Sequence, residues 1–523
     1  MKVTRWPALI VFAALFVGAV LMDGSTGPEP EAETLERAIS SVFGDDSDLV
    51  SIWYCVSGTV GGAGIADHQI LLGNKSNNIA EIALTITPVL APQLNSSESD
   101  SGESRTTPEI IQIETVLASI EVSPMSVRTV FLADIPNVAG EFAAVMLESD
   151  AGDLIVEHRV AGKTGESQSN CQTDAAEEWY FASGTTREGA REIISIFNPF
   201  ADSAVIDMTF VADGRVRRPA ALNGLVIPPR SLLPIDITGA VTLSDVVSTS
   251  IKARNGRVVA ERLLSFGDEF SPNGLNIEAG APSLAPIWVF PGGVDGSALS
   301  AIQIYNPSEV DDADVDIEIY SDFAHSSFIE PVSLMISPAS TETVVLGGDD
   351  STMISRSAFA LTSRIPLGTP HWMVVRSING LPVASERFVL SDGSFPQMTS
   401  SGFGVDVVST SHMFISTEGD ERIAIAHPSN DRLTQVKLFA YSDGEVYESL
   451  PFEISATSRK VINLQQFGVP SNSVIQIVSS EPVLVERHIE NDQGGYWTRV
   501  IPEASSAMEP MIPSQEIKGN ANP

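Results

Sequence analysis

The sequence predicts an all-β protein, with four tandem β-sandwich units behind one N-terminal membrane-directed segment. Three observations predict it. Three short residue patterns recur in the same order four times between residues 50 and 500. The stretches between them alternate apolar and polar residues, the two-residue period of a strand with one buried and one wet face. The chain also opens with basic residues followed by an unbroken apolar run. Its 523 residues exceed what one hydrophobic core holds and fit three or four domains.

Lys2 and Arg5 precede an apolar run from Trp6 to Met22, and Asp23, Glu29, Glu31 and Glu33 follow it. The positive-inside rule places such an N-terminus in the cytoplasm and everything after it outside. Residues 1–22 read as a single-pass transmembrane anchor or as a signal segment. The anchor is favoured because Val20, Leu21 and Met22 stay apolar beyond Val17-Gly18-Ala19, the small-residue stretch where a signal would be cleaved. The expected location is the cell membrane with the C-terminal bulk extracytoplasmic, or secretion after cleavage. Residues 23–48, acidic and broken by Gly24, Gly27, Pro28 and Pro30, read as a flexible tether.

The first recurring pattern is an aromatic strand opening that leads through an aliphatic run to an Asn or His turn. It runs from Trp53-Tyr54 to Asn74, from Trp179-Tyr180-Phe181 to Asn198-Pro199, from Trp288-Val289-Phe290 to Asn306-Pro307, and more weakly from Met413-Phe414-Ile415 to His427-Pro428. The second is a small turn that places Ser126, Ser231, Ser340 and Ser458 six residues before an aliphatic residue. The third is a strand carrying Glu beside a basic residue: Glu157-His158-Arg159, Glu261-Arg262, Glu386-Arg387 and Glu486-Arg487. The glutamates are 104, 125 and 100 residues apart, so the unit is about 110 residues long.

Between these marks lie strands such as Ala204–Phe210, Val315–Tyr320 and Val436–Tyr441, separated by Asp213-Gly214, Asp392-Gly393 and Asp443-Gly444 turns. Helical periodicity is nearly absent after residue 48. An all-β unit of this size points to four tandem immunoglobulin-like β-sandwich domains behind one N-terminal transmembrane helix; a propeller blade would repeat at about 40–50 residues. The expected units are 49–165, 178–272, 287–396 and 412–503. A low-complexity insertion at 93–109 reads as disordered, and so does the Pro/Ser/Asn tail at 504–523.

The composition narrows the function. With 67 acidic residues against 30 basic ones the net charge is −37, which excludes nucleic acid as a partner, because phosphate binding needs clustered Lys and Arg. Cys55 and Cys171 lack a C-x-x-C spacing and a His/Cys surround, which argues against zinc. In an exported chain a disulfide is the simplest reading, with two buried thiols as the alternative. Seven scattered histidines form no hydrolase, metalloprotease or nucleotide-binding motif. Gly61-Gly62-Ala63-Gly64 reads as a hairpin turn rather than a phosphate cradle.

A carboxylate that recurs in every unit serves the unit's fold more often than catalysis. Strand neighbours also face opposite sides, so the Glu-Arg mark is expected to form a cross-strand or inter-domain ion pair. The acidic run Glu309–Asp316 could hold calcium at a junction, but alternating carboxylates splay along a strand, and a solvated edge is the favoured reading. The Trp and Tyr openings are expected in the core rather than as a sugar-stacking platform.

The sequence Trp179-Tyr180-Phe181-Ala182 through Asn198-Pro199, Pro228-Pro229-Arg230-Ser231 and Val259-Ala260-Glu261-Arg262 resembles the repeat of an uncharacterised family of actinobacterial exported proteins. The resemblance is strongest over 178–266, good over 287–390 and weaker at both ends. It implies a bacterial cell-envelope setting, one N-terminal membrane segment and immunoglobulin-like sandwiches; it carries no catalytic residue and no cofactor. The sequence reading is therefore a non-enzymatic envelope scaffold or binding protein, a rod of sandwiches contacting envelope proteins or polysaccharide. The alternatives are a polysaccharide-binding module, or an enzyme whose site lies in one divergent repeat, for example at His371-Trp372.

Overall fold

A computed structural model describes residues 50–510 except 61–64, 92, 99–103, 268–272, 294–298, 322–328, 348–358, 361–369, 392–397, 430, 493 and 504–507. The N-terminal segment and tether, the Gly61–Gly64 turn and most of the C-terminal tail therefore lie outside the described residues. Within them the chain is all-β, interrupted only by short 3-10 turns. No described helix is long and apolar enough to cross a membrane.

Each of the four repeats is built the same way. In the second, the strands are Glu178–Phe181, Ala190–Asn198, Ala204–Ala212, Asn223–Ile227, Ser231–Asp236, Val247–Asn255, Val259–Phe266 and Gly274–Ala279. They form two antiparallel sheets, ordered first-sixth-third-fourth and fifth-second-seventh-eighth. The third strand shows the expected alternation: Ala204, Ile206, Met208 and Phe210 are buried while Val205, Asp207 and Thr209 are half-buried between them. The other repeats follow this order, and in the fourth one 18-residue strand, Val474–Asn491, serves as both sixth and seventh.

The recurrent turn has a specific geometry. Met125, Arg230, Ala339 and Thr457 all adopt φ between 46 and 49°. A side chain there costs roughly 1–2 kcal/mol. The next residue is the marked serine, whose hydroxyl donates to the carbonyl three residues back in every repeat: Ser126 to Ser123, Ser231 to Pro228, Ser340 to Ser337 and Ser458 to Ser455. The Asn mark latches onto the same corner. Asn198 Nδ2 donates to the carbonyls of Asp202, Ile227 and Pro228. Asn74 and Asn306 repeat this pattern. His427 takes its place with two ring nitrogens, against the carbonyls of Pro482 and Arg432. The buried amide thus ties the two marks together in the first three repeats.

Three expectations change. The insertion read as disordered is a two-stranded sheet, Gln93–Glu98 paired with Ser104–Glu109. In the tail, Met508–Pro510 pairs with Val407–Ser409. The stretches between the expected units are not open linkers: Gly165–Asn170, Gly274–Ala279 and Met398–Phe403 are the eighth strands of their repeats. Strands such as Gly-Glu-Ser-Gln-Ser-Asn show no apolar alternation because they pack against the eighth strands of other repeats through hydrogen bonds. The Ser167 hydroxyl accepts from the Ile277 amide, the Ser400 hydroxyl from the Trp497 amide, and Asn170 donates to the Arg499 carbonyl. These eighth strands bring the repeats together, and the chain from Ser51 onward clusters as one unit.

Candidate functional site

The recurrent Glu and its basic neighbour sit on the seventh strand of each repeat and point to opposite sides of it, as strand geometry requires. Each Glu reaches back to the preceding repeat and each cation reaches forward to the next. Glu386 accepts from the amides of Ala182 and Ser183 at 2.7 and 3.1 Å, and from Arg262 at 2.6 Å. Glu486 accepts from the Gly292 amide at 2.8 Å and from Arg387. Glu157 accepts from the Ile415 amide at 3.2 Å and from Arg487 at 3.0 Å. Glu261 accepts from the amides of Val56 and Ser57 at 2.8 and 2.6 Å, and faces His158 at 3.2 Å.

The pairs therefore run from first to second, second to third, third to fourth, and fourth back to first. The contacts between repeats form a closed cycle, not the expected rod. None of these paired side chains is more than 3% exposed. Apolar patches seal each seam: Tyr54 against Phe197; Leu264 and Phe266 with Val345 and Phe388; Ile287 and Trp372 with Ala426 and Leu484; and Leu71 and Ile155 with Met413 and Val474.

A fourth position, not singled out from the sequence, completes each cluster. It lies six residues before the Asn or His mark and is His68, Glu192, Ser300 and Glu421 in successive repeats. Glu421 accepts from Arg487 Nε at 2.8 Å, and Glu192, which accepts from the Thr185 amide, lies beside Arg262. The signal was a recurring position at a fixed six-residue distance from the Asn or His mark.

The charges behave accordingly. Burial pulls Arg262 and Arg487 down, but the carboxylates of Glu386, Glu192 and Glu278 around the first and of Glu421 and Glu157 around the second hold them above the ordinary arginine value. Arg387 has Ser300 in that slot and only Glu486 beside it, and burial leaves it below the ordinary value. Burial pushes Glu192 up to about 8. It does the same to Glu278, on the eighth strand of the second repeat, which faces Arg499 of the fourth at 3.6 Å.

Arg262, Arg387 and Arg487 also lie over the rings of Phe181, Phe290 and Phe414. Cys55 and Cys171 form a disulfide that joins the first strand of the first repeat to the chain just past its eighth strand.

The remaining sequence candidates fall elsewhere. Trp53, Trp179 and Trp288 are buried; Trp179 and Trp288 donate to the carbonyls of Val258 and Val383 in their own repeats. His371 and Trp372 begin a core strand, not an insertion, and Trp372 stacks on Tyr320 at 4.4 Å. Asp314 and Asp316 alternate with the buried Ala313, Val315 and Ile317, and so splay along one face. Asp311, Asp312 and Asp314 rim an open depression of about 570 Å³ with Asn379. Among the described residues no three His, Cys, Asp or Glu side chains converge as metal ligands.

The fold and its seams define a class: an all-β chain of four like units joined by buried ion pairs. Residues 149–357, which include the whole second repeat, match a family of unknown function, DUF5719. No curated protein matches the chain.

Proposed function

We propose that this chain is a non-enzymatic scaffold or binding protein of the cell envelope. Its immunoglobulin-like units lie outside the membrane, tethered by a transmembrane helix at residues 1–22. The observation that carries the reading is that the recurrent Glu and Arg side chains are consumed inside the seams. A buried ion pair adds little net stability over a well-packed apolar pair but penalises a missing partner heavily. A cycle of such pairs thus sets which unit meets which and presents the outer faces as one body. The immunoglobulin-like reading rests on two antiparallel sheets per unit of about 110 residues. The edges are exchanged relative to that plan, with the first strand beside the sixth. The Lys2/Arg5-led apolar segment supports export, and the resemblance of the repeat supports an actinobacterial-type envelope.

The test is fractionation of intact cells producing the full chain, with external protease. The expected result is a membrane-associated chain digested from outside; a chain recovered in the cytosol overturns the proposal. Cross-linking on the same cells then identifies envelope proteins or polysaccharide at its surface. The polysaccharide-platform reading has less support, because the tryptophans it would use are buried.

A further inference from the structure

The four seams are built on one plan, but the seam between the first and second repeats changes it at four equivalent positions. Where the others have Arg262, Arg387 and Arg487, it has His158. Where two of them have Glu192 and Glu421, it has His68. Where Phe181, Phe290 and Phe414 lie under the arginines, it has Cys55. Where Gly280 and Gly404 lie against the Phe181 and Phe290 rings, it has Cys171, bonded to Cys55. The permanently charged cation and its aromatic floor have been exchanged for an imidazole and a covalent staple.

The hydrogen bonds assign the protons. His68 Nδ1 lies 3.2 Å from the Ala143 carbonyl, which only accepts, so Nδ1 carries a proton. Burial holds His68 well below the ordinary imidazole value, so it is neutral and its Nε2 is bare. That nitrogen is 3.0 Å from His158 Nδ1, which must therefore be the donor. The opposite nitrogen, His158 Nε2, faces Glu261 Oε1 at 3.2 Å, while the amides of Val56 and Ser57 both donate to Oε2. If Nε2 were bare, a lone pair would face a carboxylate with no solvent between them. The Nε2–Oε1 contact is also out of line for a hydrogen bond, and neither atom has another partner. The Arg262–Glu386 contact is closer, at 2.6 Å.

We propose that the seam between the first and second repeats is a proton-dependent latch, closed when His158 is the imidazolium partner of Glu261 and released when His158 loses its proton. The titratable groups facing His158 are His68 from its own repeat and Glu261 from the next. Its neighbour Glu157 points to the opposite seam, onto Arg487. The sign follows from linkage: the closed state binds one proton more than the open state, so closure weakens as pH rises. The seam closed by Arg387, which has Ser300 in the slot filled elsewhere by His68, Glu192 or Glu421, has no equivalent step, since guanidinium stays charged. The disulfide keeps the released edge of the first repeat folded, because it fixes the residue immediately before the Val56 and Ser57 amides.

Hydrogen exchange on the full-length chain tests this. The Val56 and Ser57 amides report the first seam. The Gly292 amide, bonded to Glu486 beside Arg387, is the control within the same molecule. After correction for intrinsic rates, protection at Val56 and Ser57 should fall by up to about tenfold per pH unit as pH rises, while Gly292 stays level, over about pH 5 to 9. The His68→Ser/His158→Arg variant installs the pair used by the third repeat, Ser300 with Arg387, and should flatten the Val56–Ser57 profile. Level protection at Val56 and Ser57 in the native chain overturns the proposal on its own, even if the variant does not fold. A pH-dependent profile that persists in a folded variant also overturns it.

Discussion

Arg487 closes the cycle of repeats, and removing its charge is the most searching perturbation of the architecture. Its guanidinium donates to Glu421 at 2.8 Å, to Glu157 at 3.0 Å and to the Ile415 carbonyl at 2.8 Å. It also lies 4.4 Å from the Phe414 ring centroid. In Arg487→Met the volume is roughly kept, but two buried carboxylates from different repeats lose their common counter-charge. Breaking one buried pair in this way costs about 3–5 kcal/mol, and the desolvated cation–π contact adds about 1–2. The expected loss is therefore about 4–7 kcal/mol, a large share of the roughly 5–15 that holds a typical fold. Urea unfolding of the full-length protein, followed by tryptophan fluorescence, measures it. Because the penalty is the uncompensated charge, Arg487→Met/Glu157→Gln/Glu421→Gln should recover most of it. A loss below about 1 kcal/mol, the range of exposed pairs, would refute the reasoning, as would a triple variant no better than the single one.

Three further outcomes are expected. The Cys55–Cys171 bond spans 116 residues, so Cys55→Ser/Cys171→Ser should lose about 5 kcal/mol in the chain-entropy model, and peptide mapping without reductant should find the two linked; two alkylatable thiols would contradict the structure. Asn198→Ala leaves three carbonyls without their donor and should cost about 1–3 kcal/mol, whereas Asn198→His should recover only part of it, since His427 in the fourth repeat reaches the Arg432 and Pro482 carbonyls and not the serine turn; thermal melts of both variants decide. Glu192 and Glu278, each pushed up to about 8 by burial, hold protons in the folded state that the unfolded chain releases near its ordinary value of 4.5. Stability contributed by these groups is thus complete below about pH 4.5 and falls toward pH 8, by about 1.4 kcal/mol per pH unit for each. Glu192→Gln/Glu278→Gln should flatten that decline between pH 5 and 8 in urea midpoints, and an unchanged slope would sink the assignment.

Much of a single repeat was legible in the residues. The alternation over Ala204–Ala212, the serine turn and the Asn mark are local, because each depends on partners within its own repeat, as Asn198 does on Ile227 and Pro228. The expectation that the Glu-Arg mark makes ion pairs rather than an active site also follows from strand geometry and repetition alone. The eighth strand Gly165–Asn170 was missed because it carries no apolar residue, and that makes sense only once other repeats pack against it. His68, Glu192 and Glu421 were missed because each stands beside another polar residue at the head of a strand, where nothing marks it as buried.

What the sequence by itself determined was the unit, its strands and its repetition, since these rest on side-chain period and turn chemistry. Only the tertiary structure decided that the fourth unit returns to the first. The pair that makes the closure, Glu157 with Arg487, lies 330 residues apart. Every repeat offers the same Glu and nearly the same cation, so pattern alone does not choose among partners. Burial in the seams chooses, because each carboxylate must find both a cation and at least one free amide in one place.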